Sequence, residues 1–351
     1  MPNLLIYGAN GYTGSLIAHE AAARGMRPIL AGRNAEAVNL LAGKLGLEAR
    51  VFSVDNPAAV DAGLREVHSV LHCAGPFVHT SRPMADACVR TKGHYLDVTG
   101  EVMVFEALAA RSAEARDAGV MMLPGVGFDV VPSDCLAAHL KRRLPGATQL
   151  ALGMKTQGSR FSRGTALTMA ENIHQGGVVR QGGVLRRVPA AWKTRRIDFG
   201  AGLVKAITIP WGDLSTAFHS TAIPNIEVYM AAPWSLRVAA RASRCLGWLL
   251  GSSLVQGYMK KRIRAGPVGP SDEERARGTS ILWGEATDGS GNKATARLTG
   301  PEGYTMTARA ALAVVARVLA GEVKAGFQTP SMLFGPDFVL GIEGVARLDI
   351  S

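Results

Sequence analysis

The sequence predicts an α/β protein, with a Rossmann-type doubly wound parallel sheet followed by a second, α+β domain. Three observations carry this. A glycine-rich run, Gly8-Ala9-Asn10-Gly11-Tyr12-Thr13-Gly14, links the apolar segment Leu4-Leu5-Ile6-Tyr7 to a helical apolar face at Leu16, Ile17 and Ala21. Strand-like and helix-like patterns then alternate through six strands as far as Leu123. After Leu144-Pro145-Gly146 the pattern changes to short alternating runs, such as 149–154 and 223–230, separated by glycine- and arginine-rich loops. The expected boundaries are 1–125 for a nucleotide-binding domain and 126–304 for an α+β substrate or dimerisation domain. Residues 305–351 are expected to form a C-terminal helix and tail that return to the first domain.

The first turn joins a buried strand to a helix N-terminus, where free backbone N–H groups and the helix dipole favour an anion. Glycine permits the sharp turn and the close approach of a pyrophosphate. Gly8, Asn10, Gly11, Tyr12, Thr13 and Gly14 are therefore candidate cofactor contacts, although a tight strand-to-helix turn can be glycine-rich for its own sake. The second strand, 28–31, ends in Gly32-Arg33-Asn34 where an acidic residue would bond a ribose 2′-hydroxyl. An arginine there suits a 2′-phosphate, so Arg33 and Asn34 favour NADP(H) over NAD(H).

Residues 35–45 read as a helix, and 49–54 as a third strand ending at Asp55. Asp55 reads equally as a contact to the adenine amino group and as a helix N-cap. The fourth strand, 69–74, enters a turn in which Cys73, Ala74, Gly75, Pro76 and Phe77 leave space beside a nicotinamide ribose. A helix is expected over 83–91, a fifth strand over 95–98, a helix over 105–118 and a sixth strand over 120–123.

With 47% hydrophobic and 19% charged residues in 351, the chain has material for two domains and a sizeable core, and disorder is excluded. No basic-then-apolar leader precedes the first strand, which favours a cytoplasmic location. Cys73, Cys88, Cys135 and Cys245 show neither metal-ligand nor disulfide-framework spacing and read as reduced thiols, so no metal site is expected. The net charge of +11 is uneven: residues 1–150 are neutral, 151–265 carry +13, and the remainder carries −2. Such a basic middle suits an anionic substrate or membrane surface. Nucleic acid is not an expected partner, because no nucleic-acid module or aromatic-interleaved basic strand is present.

Four blocks carry a resemblance: Cys73-Ala74-Gly75-Pro76-Phe77; Ala87-Cys88; Gly93 through Glu101; and Gly127-Phe128-Asp129-Val130-Val131-Pro132-Ser133-Asp134. In order and spacing the chain resembles the saccharopine dehydrogenase-like oxidoreductases over about residues 3–140, and again more weakly at 303–308 and 329–330. That family includes trans-acting enoyl reductases of lipid and polyketide assembly besides the amino-acid-forming saccharopine enzymes. The resemblance implies that the glycine turn, Arg33, Asp55 and 73–77 line an NADP(H) site. It also implies that Phe128 and Asp129 stand on the substrate side. Many relatives carry a Tyr-Gly pair after the Gly-Pro-aromatic turn, whereas this chain has His79-Thr80-Ser81, which leaves the substrate open.

The Tyr-x-x-x-Lys pair of short-chain dehydrogenases is absent, since the fourth residue after Tyr258 is Arg262. Asp129 and His79 remain as acid/base candidates by position, with a helix N-cap and a polar loop residue as their structural alternatives. Gly176-Gly177 and Gly182-Gly183 bracket 178–180 as either a mobile segment or a surface turn. In 234–264, Arg237, Arg241 and Arg244 share a helical face, an apolar run including Leu246 and Trp248 follows, and Lys260-Lys261-Arg262 closes the stretch. It reads either as a helix packed on the second domain or across a homodimer, or as a peripheral contact to a membrane or lipid-like substrate. Residues 305–319 form a further expected helix.

Two function classes follow. One is an NADP(H)-dependent oxidoreductase acting on an activated, hydrophobic small molecule, with enoyl C=C reduction ahead of C=N reduction. The other is a non-catalytic NADP(H)-binding protein at a lipid surface.

Overall fold

The computed structural model describes residues 3–172, 174 and 176–350, and the side chains at 245 and 246 fall outside that description. The expectations for the Cys245 thiol and for Leu246 therefore lie outside the described residues. The chain begins with β1 (Leu4–Tyr7), α1 (Tyr12–Ala23), β2 (Ile29–Gly32), α2 (Ala35–Leu45), β3 (Ala49–Val51) and α3 (Pro57–Gly63). It continues through β4 (Ser69–His72), α4 (Phe77–Thr91), β5 (His94–Asp97), α5 (Val102–Ala110), α6 (Ser112–Asp117) and β6 (Met121–Leu123).

These elements are locally specified. Asn34 caps α2 by accepting from the Ala37 N–H, and Gly46, at φ 65°, ends it in the left-handed region. Strands β1 and β4 are buried on both faces, as expected of parallel strands covered by helices. Two expected helices have different limits. The fourth begins at Phe77, placing Pro83 inside it, and the helix expected over 105–118 is two helices meeting at Arg111.

There follow α7 (Val131–Arg143), β7 (Ala147–Gln157), α8 (Arg163–Asn172), β8 (Gly177–Gln181), β9 (Val184–Val188), β10 (Thr194–Asp198) and β11 (Leu203–Thr208). Next come α9 (Asp213–Thr221), β12 (Asn225–Ala231), α10 (Trp234–Leu250), α11 (Ser253–Ala265), α12 (Asp272–Arg277), β13 (Thr279–Asp288) and β14 (Lys293–Pro301). The chain closes with α13 (Gly303–Leu319), β15 (Gly326–Phe327), α14 (Pro330–Phe334) and β16 (Ala346–Ile350).

The chain divides into two compact units, one running to Val131 and including Tyr304–Gly335, the other comprising Pro132–Gly303 and the chain from Pro336 onward. The first holds a seven-stranded parallel sheet in the order β15-β6-β5-β4-β1-β2-β3. That order, running outward from β1 in both directions, is the doubly wound arrangement. Its core includes Leu5, Tyr7, Val70, Tyr95, Phe105 and Met122.

The second unit holds a mixed nine-stranded sheet, with β10-β11-β12-β7-β13-β14-β16 in line and β8 and β9 attached through β12. Trp283, Tyr229, Ile197 and Phe199 pack on one of its faces. The tail expected with the first domain is divided. Residues 304–335 lie in the first unit, while β16 pairs antiparallel with β14 and so belongs to the second. The glycine-bracketed segment is neither a loose segment nor a plain surface turn. It is strand β8 of a hairpin, with Gly182 and Gly183 at φ 58° and 79° forming the tight connection to β9. The stretch 234–264 is two helices, separated at Gly251 and restarted by Ser252, which caps α11.

Candidate cofactor and acid site

Strand β1 delivers the chain to Gly8, whose φ of 79° and close neighbours, Ala74 within 2.8 Å of where a β-carbon would lie, both require glycine. Gly14 is required by packing, since a β-carbon would stand 2.3 Å from the Gly8 carbonyl oxygen. Gly11 differs: its φ is −74° and a β-carbon would meet only the Gly8 oxygen, at 3.2 Å. A β-carbon at 11 is thus tight but less forbidden than at 8 or 14.

Gly11 is the N-cap of α1 and brings no capping side chain of its own, and no acidic residue occupies the first turn. The N-terminus of α1, at Tyr12, Thr13 and Gly14, is a place whose helix dipole suits a pyrophosphate. Asn10 folds toward β2, where a β-carbon on Gly32 would lie 2.9 Å from its Oδ1. The Tyr12 ring meets Tyr304 edge-on at 5.0 Å, bringing the start of α13 against the glycine turn. Nothing in the local sequence signals that contact.

Arg33 and Asp55, on successive strand ends, both lie near enough to Tyr7 to act electrostatically on its hydroxyl. Arg33 is exposed, as a 2′-phosphate ligand must be. Asn34 spends its side chain as the α2 cap. Of the two readings of Asp55, the N-cap is removed, because Asn56 caps α3 by accepting from the Ala59 N–H. Asp55 instead accepts from the Ser53 hydroxyl at 2.9 Å and borders a cleft of about 240 Å³ with Val54, Pro57, Pro83 and Asp86.

The fourth strand's exit brings Ala74 against Gly8 and passes through a cis Gly75-Pro76 bond into α4. Cys73 is half-buried, and its thiol is pushed well above the usual range, first by burial and then by the nearby Asp97 charge. It is not a thiolate nucleophile. The start of α4 is fixed from outside: the Glu101 carboxylate accepts from the Phe77 N–H at 2.8 Å and the Val78 N–H at 3.0 Å. Glu101 thereby occupies the positive end of α4, which explains why the helix starts six residues before Pro83.

A group of carboxyls gathers at the C-terminal ends of β5 and β6. Asp97 is fully buried and accepts from the Tyr95 hydroxyl and from the Thr99 and Gly125 N–H groups. Burial outweighs those bonds and raises it to about 6. Asp129 packs on Gly100, where a β-carbon would sit 2.7 Å from Oδ2. Burial, and then the neighbouring Glu101 charge, push Asp129 up to about 7. Phe128 is buried, and its N–H donates to the Thr307 hydroxyl. His79 lies exposed in the first turn of α4. Sequence reasoning did not select Asp97 or Glu101, although Thr99-Gly100-Glu101 at a strand end was a signal for them. Among the described residues no group of three His, Cys, Asp or Glu side chains could hold a metal ion.

Residues 4–123 match the family model for the saccharopine dehydrogenase NADP-binding domain. A human saccharopine dehydrogenase-like oxidoreductase is 26% identical over 164 residues, covering 41% of this chain and 38% of the relative. A trans-acting enoyl reductase of Mycobacterium ulcerans is 30% identical over 148 residues, covering 40% of this chain and 35% of the relative. The matched stretches thus span well under half of either curated relative. Among solved structures, apo saccharopine dehydrogenase (L-Glu forming) from Saccharomyces cerevisiae shares the fold over 100% of both chains, with a TM-score of 0.69 at 12% identity. In its first domain the chain is similar in sequence to the saccharopine dehydrogenase NADP-binding domain over residues 4–123, and over its whole length it shares the fold of saccharopine dehydrogenase.

Proposed function

We propose that the protein is an NADP(H)-dependent oxidoreductase that reduces an activated C=C bond of a hydrophobic acyl or polyketide-like substrate. The observation that carries this reading is Asp129, packed on Gly100 in the same compact unit as the dinucleotide turn, its carboxyl raised to about 7 by burial and by Glu101. The glycine turn would hold NADPH, which when bound would supply the hydride for the substrate β-carbon.

The protein's own part is to position and to protonate. The N-terminus of α1 would hold the pyrophosphate and Arg33 would select the 2′-phosphate. Glu101 pins the start of α4, so the turn 73–77 keeps its shape beside the cofactor. Asp129, protonated near neutrality, gives its Oδ2 proton to the α-carbon, and water restores that proton. The sum is one C=C bond reduced, one NADPH oxidised and one proton consumed. The enoyl preference rests on the mycobacterial relatives named for that activity. C=N reduction, as in an imine reductase or amino-acid dehydrogenase, is the second reading, favoured by the yeast enzyme's fold.

NADPH oxidation against a panel of enoyl thioesters and cyclic or linear imines tests this. Turnover with an enoyl member, falling about 100-fold in Asp129→Asn with little change in NADPH affinity, is expected. Turnover with imines alone would replace the first reading by the second. Absence of any turnover by a sample that binds NADPH would leave a non-catalytic binding protein.

A further inference from the structure

We infer that the helical hairpin α10–α11 docks the protein on an anionic phospholipid surface through an aromatic and apolar face. The inference is independent of the proposed reaction. Two of the three arginines aligned by the sequence pattern bond the protein itself. Arg244 donates to the backbone oxygens of Ala190 and Ala191, and Arg241 donates to the Thr194 hydroxyl. Ala240 packs on the cluster of Ala191, Ile207 and Ala232. One face of α10 is thereby tied to the second unit's sheet.

The face turned away from Ala240 and Ser243 is largely apolar and open, with Arg241 on it between two tryptophans seven residues to either side. Trp234 and Trp248 are 72% and 78% exposed, with Val238 at 45% between them. The two tryptophans stand about 21 Å apart along the axis at the usual rise per residue. In α11, Gln256 donates to the Ala170 oxygen and Lys260 pairs with Glu171, which turns Leu254 (85% exposed) and Tyr258 (65%) outward. Lys261 and Arg262 follow Tyr258 on that exposed side.

Charge identifies the occupant. Residues 234–270 contain seven cations and no acidic residue, and only Lys260 among the seven has a carboxylate partner among the described residues. An apolar strip ended by tryptophans and flanked by lysine and arginine is the composition of a helix lying in the headgroup region of a bilayer. No described helix is long and apolar enough to cross one. A protein partner would have to bring both an apolar groove and a concentration of acid, whereas an anionic bilayer presents both at once.

Co-sedimentation of the full chain with phosphatidylcholine vesicles, with and without phosphatidylserine, tests the inference. The parent should pellet with the anionic vesicles at low salt, stay in solution with the neutral ones, and release as salt rises. Each cation near such a surface is worth about a fivefold change in partition, so Lys261→Glu with Arg262→Glu should weaken binding by at least about 25-fold. Trp248→Ser with Leu254→Ser, at exposed positions and with an unchanged thermal midpoint, should abolish it. Failure of the parent to pellet at low salt, or pelleting of both double variants like the parent, would overturn the inference. So would a parent dimer that Trp248→Ser with Leu254→Ser dissociates and that vesicles do not disperse, since a second copy would then cover the face.

Discussion

Two acids of the first unit and one of the second stand in opposite environments. In the first, Asp97 and Asp129 are held by burial at about 6 and about 7. In the second, Asp337 is driven far below the usual carboxylate range by the Arg142 guanidinium and then by that of Arg347, which donate to it at 2.8 and 2.6 Å. A carboxyl paired with guanidinium groups in water is a fastener, because its charge is what bonds it. A carboxyl whose pKa is raised by desolvation is costly to ionise, and such groups are common where a proton is moved. The contrast is between a carboxyl poised near neutrality and one held ionised.

The sharpest way to break the comparison lies in the glycines of the first unit. Gly14→Val should prevent folding of that unit, since its β-carbon would stand 2.3 Å from a backbone oxygen, a clash worth several kcal/mol that no side chain can relieve. Gly11→Val should fold and lose NADPH affinity by about 100-fold or more, because the space it fills belongs to the ligand. Circular dichroism and calorimetric titration distinguish the two. Equal folding and equal binding in both variants would remove the ligand role assigned to Gly11.

A smaller effect concerns Asp129. Its folded pKa lies above its unfolded value, so the neutral carboxyl is tolerated at low pH and ionisation costs stability as pH rises toward and through about 7. Asp129→Asn should therefore raise the thermal stability by on the order of 2 kcal/mol above about pH 8, with the gain vanishing below about pH 4. A variant less stable than the parent at alkaline pH would show that the carboxylate is satisfied after all.

Asp337 should behave in the reverse sense. Its folded pKa is depressed, so its contribution is present above the ordinary carboxylate range and is lost as pH falls below it. The pair is about half exposed, and Asp337→Asn should cost only about 1 kcal/mol at neutral pH and nothing in acid. Chemical denaturation at several pH values reads both variants. The comparison fails if their pH profiles run in the same direction.

What was legible in the sequence follows the range over which each feature is decided. The glycine turn and α2 are set by neighbours within a dozen residues, and α2 runs from Ala35 to Leu45 as expected, between its Asn34 cap and Gly46. Helix α4 was misjudged at its start because Pro83 resembles a first-turn proline. The feature that starts the helix earlier is Glu101, 24 residues downstream of Phe77. The state of Asp129 depends on Gly100 and Glu101, and nothing around 129 announces it. Helical spacing correctly aligned Arg241 and Arg244 on one face. Their partners are the backbone oxygens of Ala190 and Ala191 for Arg244 and the Thr194 hydroxyl for Arg241, about fifty residues away in sequence, which the pattern does not contain. The end of the chain shows the same limit, as β16 is recruited by β14 through pairing that no local signal predicts.

The most direct measurement of the account is a calorimetric titration of the full chain with NADPH and NADH, repeated on Arg33→Ala. The first unit as described binds NADPH more tightly by at least about tenfold, and Arg33→Ala removes most of that preference while leaving NADH affinity unchanged. Tighter binding of NADH by the parent, or an Arg33→Ala variant that keeps full NADPH affinity, would contradict it.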